Sequence, residues 1–451
     1  MDAPTQSRME TSLSSFAAVN VPRYTSYPTA PNFSAAIDGP RYAGWLSALP
    51  SEATLSLYIH VPFCAELCLY CGCNTKAVRR REPVDRYIES LVSEIDLTAA
   101  HLASRKVTHL HWGGGTPSML GEDGFQIVME RLSRRFDLSA TREHAIEIDP
   151  RHANPSLISL LARIGVNRAS FGVQDFSADV QREIGRIQPF DVVKRCIDMF
   201  VEAGILGINI DLMYGLPRQS AAGIARNADL AASLQPGRIA LFGYAHVPWM
   251  KKSQRLIDAG LLPGHQERLA QARVAARVLT GHGYRAIGFD HFADPRDELA
   301  IAAQTGRLRR NFQGYTTDQA DALIGFGASA IGRTPSGYAQ NAPDIAGYAR
   351  ALSAGRLPVV KGIELTAEDR LRARIIERLL CDFAVDLDAL APGTNFDEEL
   401  SRLAPLAEAG LIAIDGSRIA ILEPGRNFAR LAAAAFDAYL PANRTRHSAA
   451  V

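Results

Sequence analysis

Between residues 55 and 289 the chain repeats one pattern: a short apolar run, a polar or glycine-rich break, then apolar residues at helical spacing. The first run, L-S-L-Y-I-H-V (55–61), reads as a strand. After it Val84, Tyr87, Ile88, Leu91, Val92 and Ile95 recur every three or four residues and define a core-facing helix. Pro83 suits that helix's first turn. The next strand-like runs are V-T-H-L-H-W (107–112), H-A-I-E-I-D (144–149), R-A-S-F-G-V-Q (168–174), L-G-I-N-I-D-L-M-Y (206–214) and R-I-A-L-F-G-Y-A (238–245), alternating with helical segments. A helix near 265–281 and a strand-like Y-R-A-I-G-F (284–289) follow. Six strand–helix alternations imply parallel strands with right-handed crossovers. Glu147, Gln174, Asp211 and Tyr244 sit at the C-terminal ends of different strands, which suits a barrel mouth. The expected fold is therefore α/β, a partial (β/α)6 barrel, with an open doubly wound sheet as the competing architecture.

The flanks read differently. The first fifty residues are expected to be irregular, and Val21–Ser34, rich in Pro, Ser and Thr, to be an extended arm. Its Tyr24, Tyr27 and Phe33 are expected to pack onto the main body. From Thr366, R-A-R-I-I-E-R-L-L-C is helical, and two short β runs flank a D-G turn in A-I-D-G-S-R-I-A-I. A last helix is expected over 425–439. The tail thus resembles a winged-helix-type module, and the expected segments are an arm (1–50), a catalytic domain (51–360) and a mainly helical C-terminal domain (361–451).

Composition narrows the function. The 451 residues carry 49 Lys and Arg against 48 Asp and Glu, so no global field draws the chain to nucleic acid or a membrane surface. No secretory signal or membrane-length apolar run is visible, and the cytoplasm is the expected compartment. Four of the six cysteines, Cys64, Cys68, Cys71 and Cys73, fall within ten residues directly after the first strand. Such clustering suits metal or redox chemistry in a reducing compartment better than a disulfide framework. Three readings compete. Buried free thiols would not cluster so tightly. Structural zinc usually takes two separated pairs, and the C-x-C spacing strains a closed tetrahedron. An iron–sulfur cluster can take three thiolates from one compact loop and keep one iron open.

The C-x3-C-x2-C triplet after the first strand resembles the radical S-adenosylmethionine (SAM) superfamily. The motifs R-Y-T-S-Y-P (23–28), Y-I-H-V-P-F-C (58–64), C-G-C-N (71–74), H-W-G-G-G-T-P (111–117), F-G-V-Q-D-F (171–176), I-D-L-M-Y-G-L-P (210–217), F-D-H-F-A (289–293) and R-N-F-Q-G-Y-T-T (310–317) together resemble the oxygen-independent coproporphyrinogen III oxidase family. The resemblance implies that Cys64, Cys68 and Cys71 ligate a [4Fe–4S] cluster and that Cys73 is a non-ligand thiol needed for activity. It implies two SAM molecules. Tyr58, Gly114, Glu147 and Ile331 match positions at the first, and Tyr70 a main-chain contact near its adenine. Gly115, Thr116, Gln174, Arg186, Asp211 and Ala245 match positions at the second. From the residues alone, Asp149 reads as a helix cap, Arg186 equally well as a solvated helix-end arginine, and Ala245 and Ile331 as packing.

The implied reaction converts two propionates of coproporphyrinogen III to vinyl groups, giving protoporphyrinogen IX. A 5′-deoxyadenosyl radical takes a hydrogen from each propionate β-carbon, and the substrate radical loses CO2 and one electron. An electron donor such as a flavodoxin or ferredoxin, an electron acceptor and a monomeric state are implied with it. Because the substrate carries four carboxylates around an apolar ring, Arg23 and Arg310 are expected to hold propionates, Phe312 and Tyr315 to face the ring, and the arm to close the barrel mouth. Two other functions compete: a haem-binding chaperone on the same scaffold, disfavoured by Cys73 and R-N-F-Q-G-Y-T-T, and a zinc-stabilised nucleic-acid-binding module, disfavoured by the neutral charge.

Overall fold

The structure, a computed structural model, describes residue 13 and residues 15–440. The chain divides into two compact units, each assembled from separated stretches. The cysteine-loop unit comprises Phe33–Asp211 and Asp318–Leu365. The arginine unit comprises Met1–Asn32, Leu212–Thr317 and Thr366–Val451. The expected segments 1–50, 51–360 and 361–451 are contiguous, whereas these units follow packing and interleave along the chain.

All six repeated strands form: β1 (Leu55–Val61), β2 (Val107–Gly114), β3 (Glu143–Ile148), β4 (Arg168–Gln174), β5 (Gly207–Tyr214) and β6 (Arg238–Gly243). In the cysteine-loop unit β1 to β4 pair in parallel and in chain order, and β5 lies beside β4. The last residues of β5, Leu212–Tyr214, belong to the arginine unit, where β6 is their neighbour. Helices Glu82–Ala100, Gly121–Arg135, Pro155–Arg163, Phe190–Glu202 and Ala221–Ser233 make the crossovers, as a partial (β/α)6 barrel requires. Six of the seven residues of β1 are buried, the mark of a strand covered on both faces.

Four strands of the cysteine-loop unit escape the sequence pattern: β7 (Ala322–Phe326), β8 (Ile331–Thr334), β9 (Gly337–Asn341) and β10 (Val359–Glu364). β7 pairs in parallel with the other edge of β1, Leu55 opposite Ala322, and β8 to β10 continue the sheet antiparallel. The whole of β7 is buried, so A-L-I-G-F shows no polar alternation to reveal it.

Other expectations need correction. The first fifty residues hold a helix, Gly39–Ser47, capped by Asp38, which accepts the Arg41 N–H at 3.0 Å, and anchored by buried Tyr42, Trp45 and Leu46. The strand-like 284–289 shortens to Arg285–Ile287, antiparallel to His291–Ala293. The last helix, expected over 425–439, is a 3-10 turn at Glu423–Phe428 and a short helix at Ala429–Ala434. Elsewhere the reading holds. The helix His265–Gly281 matches, and Ala367–Cys381 begins with a capping box of Thr366 and Asp369. The tail hairpin Ile412–Asp415/Arg418–Ile421 is extended by Ala384–Asp386. Arm residues Tyr24 and Tyr27 are buried in the arginine unit, where the Tyr24 hydroxyl donates to Asp437 at 3.0 Å. Phe33 stacks on Tyr338 in the cysteine-loop unit, with ring centroids 5.8 Å apart.

Candidate functional site

The thiol loop leaves β1 and returns to it. Phe63–Cys64 and Lys76–Ala77 pair as a two-residue parallel ladder that closes its base. His60, on β1, reaches the Asn74 carbonyl with Nε2 at 2.9 Å and the Tyr58 hydroxyl with Nδ1 at 3.0 Å. Burial pushes its pKa down, so it stays a neutral imidazole that ties the loop to the strand. At mid-loop the Leu69 N–H donates to the Ile184 carbonyl at 2.9 Å. The loop cysteines form no disulfide. The Cys64 sulfur sits within reach of the Thr75 hydroxyl at 3.1 Å and the Thr116 hydroxyl at 3.5 Å. The Cys68 sulfur accepts from Arg186 Nη1 at 3.4 Å and Arg151 Nη2 at 3.8 Å. The Cys73 N–H donates to the Cys71 sulfur at 3.4 Å, and although Cys73 is an exposed residue, its thiol also interacts with Cys71, which with burial raises its pKa.

These donors fit a cubane cluster. The charges of Cys68 and Cys71 both register on Cys64, and two guanidiniums at Cys68 would compensate thiolate charge. Among the described residues no three His, Cys, Asp or Glu side chains are grouped around one ion's position. A cubane does not ask for that convergence, since each thiolate takes a separate iron.

The G-G-G-T stretch packs against this loop. A side chain on Gly113 would approach Glu147 Oε1 at 2.8 Å and the Tyr58 ring at 2.9 Å. Gly114 has φ +115°, which favours glycine, and would strike the His60 ring. The missing side chains therefore make room for site residues. The Gly114 N–H donates to Glu147 Oε2 at 3.0 Å, and the Thr116 N–H to the Phe63 carbonyl at 2.7 Å. Tyr58 stacks on His111 at 5.8 Å, and Ile331 opens β8.

Further along the strand ends, Gln174 closes β4 with a left-handed backbone, φ 69°, strain of a kind that gathers at functional sites. Asp211 accepts from Ser170 at 3.1 Å and Asn209 at 3.2 Å. Burial and the Glu147 charge raise its pKa to about 7. Arg186 is not a solvated helix-end residue: it is 7 % exposed, bonded to Gly172 and paired with Asp149 at 3.1 Å. Asp149 does cap the following turn at Arg151. Burial opposes its charge, but Arg151 and Arg186 hold its pKa near 2. Tyr70 also senses Arg186, while burial raises its pKa.

The arginine unit holds Ala245, Arg23, Arg310, Phe312 and Tyr315. Arg23 Nη2 donates to the Gly243 carbonyl at 2.6 Å, and Arg310 Nη2 to the Arg23 carbonyl at 3.4 Å. Arg310 lies over Tyr315 at 4.5 Å and Phe289 at 4.7 Å. Tyr315 is 5 % exposed and donates its hydroxyl to the Leu380 carbonyl at 2.7 Å. It is a core residue that carries Arg310, a correction to the expected ring-facing role. Sequence reading missed His60, Thr75 and Arg151. His60 alone was findable, lying two strand positions from Tyr58 and so on its face.

The parallel strand–helix repeat with a thiol loop after its first strand defines a radical SAM protein. The family model for the radical SAM superfamily matches residues 58–231, and the HemN C-terminal domain matches 365–428. Proteins of this class use a [4Fe–4S] cluster and SAM. The oxygen-independent coproporphyrinogen III oxidase of Bradyrhizobium diazoefficiens is 47 % identical over 97 % of this chain and 98 % of its own, and that of Escherichia coli 39 % identical over 93 % of each. The solved coproporphyrinogen III oxidase of E. coli, described as a radical SAM enzyme, superposes with a TM-score of 0.88 at 38 % identity, covering 93 % of this chain and 98 % of that one. The chain belongs to the oxygen-independent coproporphyrinogen III oxidase family. Among the described residues no helix is long and apolar enough to cross a membrane.

Proposed function

We propose that the protein oxidatively decarboxylates two propionates of coproporphyrinogen III to vinyl groups, giving protoporphyrinogen IX without oxygen. The observation that carries this is the match, over nearly the whole length of both chains, to relatives of that name. In this reading Cys64, Cys68 and Cys71 hold the cluster, with Arg151 and Arg186 compensating charge at Cys68. When bound, cluster and SAM supply a 5′-deoxyadenosyl radical, which suits a C–H bond too weakly acidic for a general base. Tyr58, Gly114, Glu147 and Ile331 orient one SAM, with Tyr70 at its adenine side. Glu147 is fixed for this by the Gly114 N–H. Gly115, Thr116, Gln174, Arg186, Asp211 and Ala245 are assigned to a second SAM.

Cys73, an exposed residue assigned here as a non-ligand, moves a proton or an electron at its sulfur. Arg23 and Arg310 bind propionates and Phe312 faces the ring, while Tyr315 positions Arg310. The electron leaving with each CO2 passes to a separate acceptor, and a flavodoxin- or ferredoxin-type donor supplies the reducing electron.

The test is anaerobic reconstitution with iron and sulfide, then reduction and addition of SAM and coproporphyrinogen III. Protoporphyrinogen and 5′-deoxyadenosine should form together. A reconstituted brown protein that forms neither refutes the reading.

A further inference from the structure

Arg268 and Arg430 join Arg23 and Arg310 within the arginine unit. Arg268 Nη2 donates to the Tyr244 carbonyl at 2.9 Å, and its guanidinium lies 5.6 Å from the Tyr214 ring centroid. A side chain at Gly215 would collide with that guanidinium, so the glycine clears its place. Arg430, 7 % exposed, donates to the Val21 carbonyl at 3.4 Å and lies 5.9 Å from the Phe289 centroid.

Asp290 is the carboxylate whose charge registers on both Arg23 and Arg430, and it already shares a 2.7 Å contact with His291. Arg310 meets it only at 3.8 Å, and its buried Nε and Nη1 have no hydrogen-bond partner among the described residues. Arg23 is exposed, and desolvation by its surroundings lowers its pKa. Burial and the neighbouring cations push the pKa of Arg430 down to about 10. Arg268 and Arg430 both feel the charge of Arg23, and Arg430 that of Arg310 as well, so an incoming anion is favoured among them.

We propose that Arg268 and Arg430, with Arg23 and Arg310, form one receptor for the carboxylates of a single polycarboxylate ligand. This rests on the coproporphyrinogen reading, in which the carboxylates are propionates, and adds two residues that no motif marks. Planar guanidiniums on aromatic faces are set to take carboxylates bidentately, and lysine would supply charge without the fork. Asp290 limits the excess of positive charge and orients Arg310 for an incoming carboxylate.

The test uses the full-length protein and coproporphyrin III, the oxidised ring with all four propionates, with its tetramethyl ester as the uncharged control. Porphyrin fluorescence gives affinity across a salt series. R268M and R430M should each weaken coproporphyrin III binding by about tenfold or more and flatten its salt dependence. Both should bind the ester as the wild type does, and R268K should recover part of the loss. Near-UV circular dichroism and iron content check the fold, and if R430M does not fold, half-buried Arg268 decides the matter. Variants that bind coproporphyrin III as tightly as the wild type overturn the receptor. If such variants accompany a wild type that makes protoporphyrinogen, only the receptor fails. If the wild type binds neither porphyrin and makes no product, the coproporphyrinogen reading fails with it.

Discussion

Replacing Glu94 by Gln should remove a pH dependence built into the cysteine-loop unit. Glu94 is 2 % exposed, on the helix Glu82–Ala100. Its Oε2 accepts the Gly327 N–H at 2.7 Å and the Tyr348 hydroxyl at 2.6 Å, and its Oε1 accepts from Asn341 Nδ2 at 2.6 Å. These donors favour the carboxylate, but burial outweighs them and raises the pKa from 4.5 to about 7. An acid whose pKa rises on folding holds its proton in the folded state while the unfolded chain releases it. Its contribution is therefore fully present below about pH 4.5 and is lost as pH rises to about 7. That span corresponds to about 3 kcal/mol.

Glutamine does not titrate, and its amide nitrogen cannot accept the Gly327 N–H, which costs about 1–3 kcal/mol at every pH. The stability difference should thus move in favour of E94Q by about 2–3 kcal/mol between about pH 5 and about pH 8. The assay is urea unfolding of both proteins by far-UV circular dichroism at a series of pH values. Taking the difference cancels the titrations the two proteins share. A difference that stays constant to within about 0.5 kcal/mol from about pH 4.5 to about pH 7.5 refutes the argument.

Four further outcomes are expected. C73S should keep the iron–sulfur absorbance of reconstituted protein and lose protoporphyrinogen formation, whereas C64S should lose both. R151Q removes a cation from the Cys68 sulfur, so the cluster's reduction potential in an anaerobic titration should move to more negative values; an unchanged potential counts against that contact. R23A and R310A should each raise KM for coproporphyrinogen III about tenfold or more, and unchanged steady-state kinetics in both would remove them from the substrate site. Y24F deletes the buried hydrogen bond to Asp437 and should lower unfolding stability by about 1–3 kcal/mol in thermal melts.

What the sequence disclosed was local. The strands β1 to β6 announced themselves because each is followed by its own helix, and the thiol loop because its spacing is read within ten residues. Strand β7 was invisible because it gains meaning only against β1, far away in the chain. The same holds for Arg23, Arg268, Arg310 and Arg430, which come from separate stretches. From its residues alone Arg186 could equally have been a solvated arginine, because nothing in G-R-I-Q foretells its burial beside Asp149 and Cys68. Tyr315 looked ligand-facing because it is an aromatic close to Arg310 and suited to an apolar ring, yet its hydroxyl is taken by the Leu380 carbonyl.

The pairing of β1 with β7 also sets a schedule for synthesis. About 260 residues must be made between the end of β1 and the end of β7. At ribosomal speed that takes roughly 15–50 s. Through that interval one edge of the strand leading into the thiol loop has no partner, and an open edge invites wrong pairing. The loop's anchor is therefore completed late in translation, so a nascent chain truncated before Ala322 should present its thiols on an unfinished strand. Cluster loading in the cell belongs after that point.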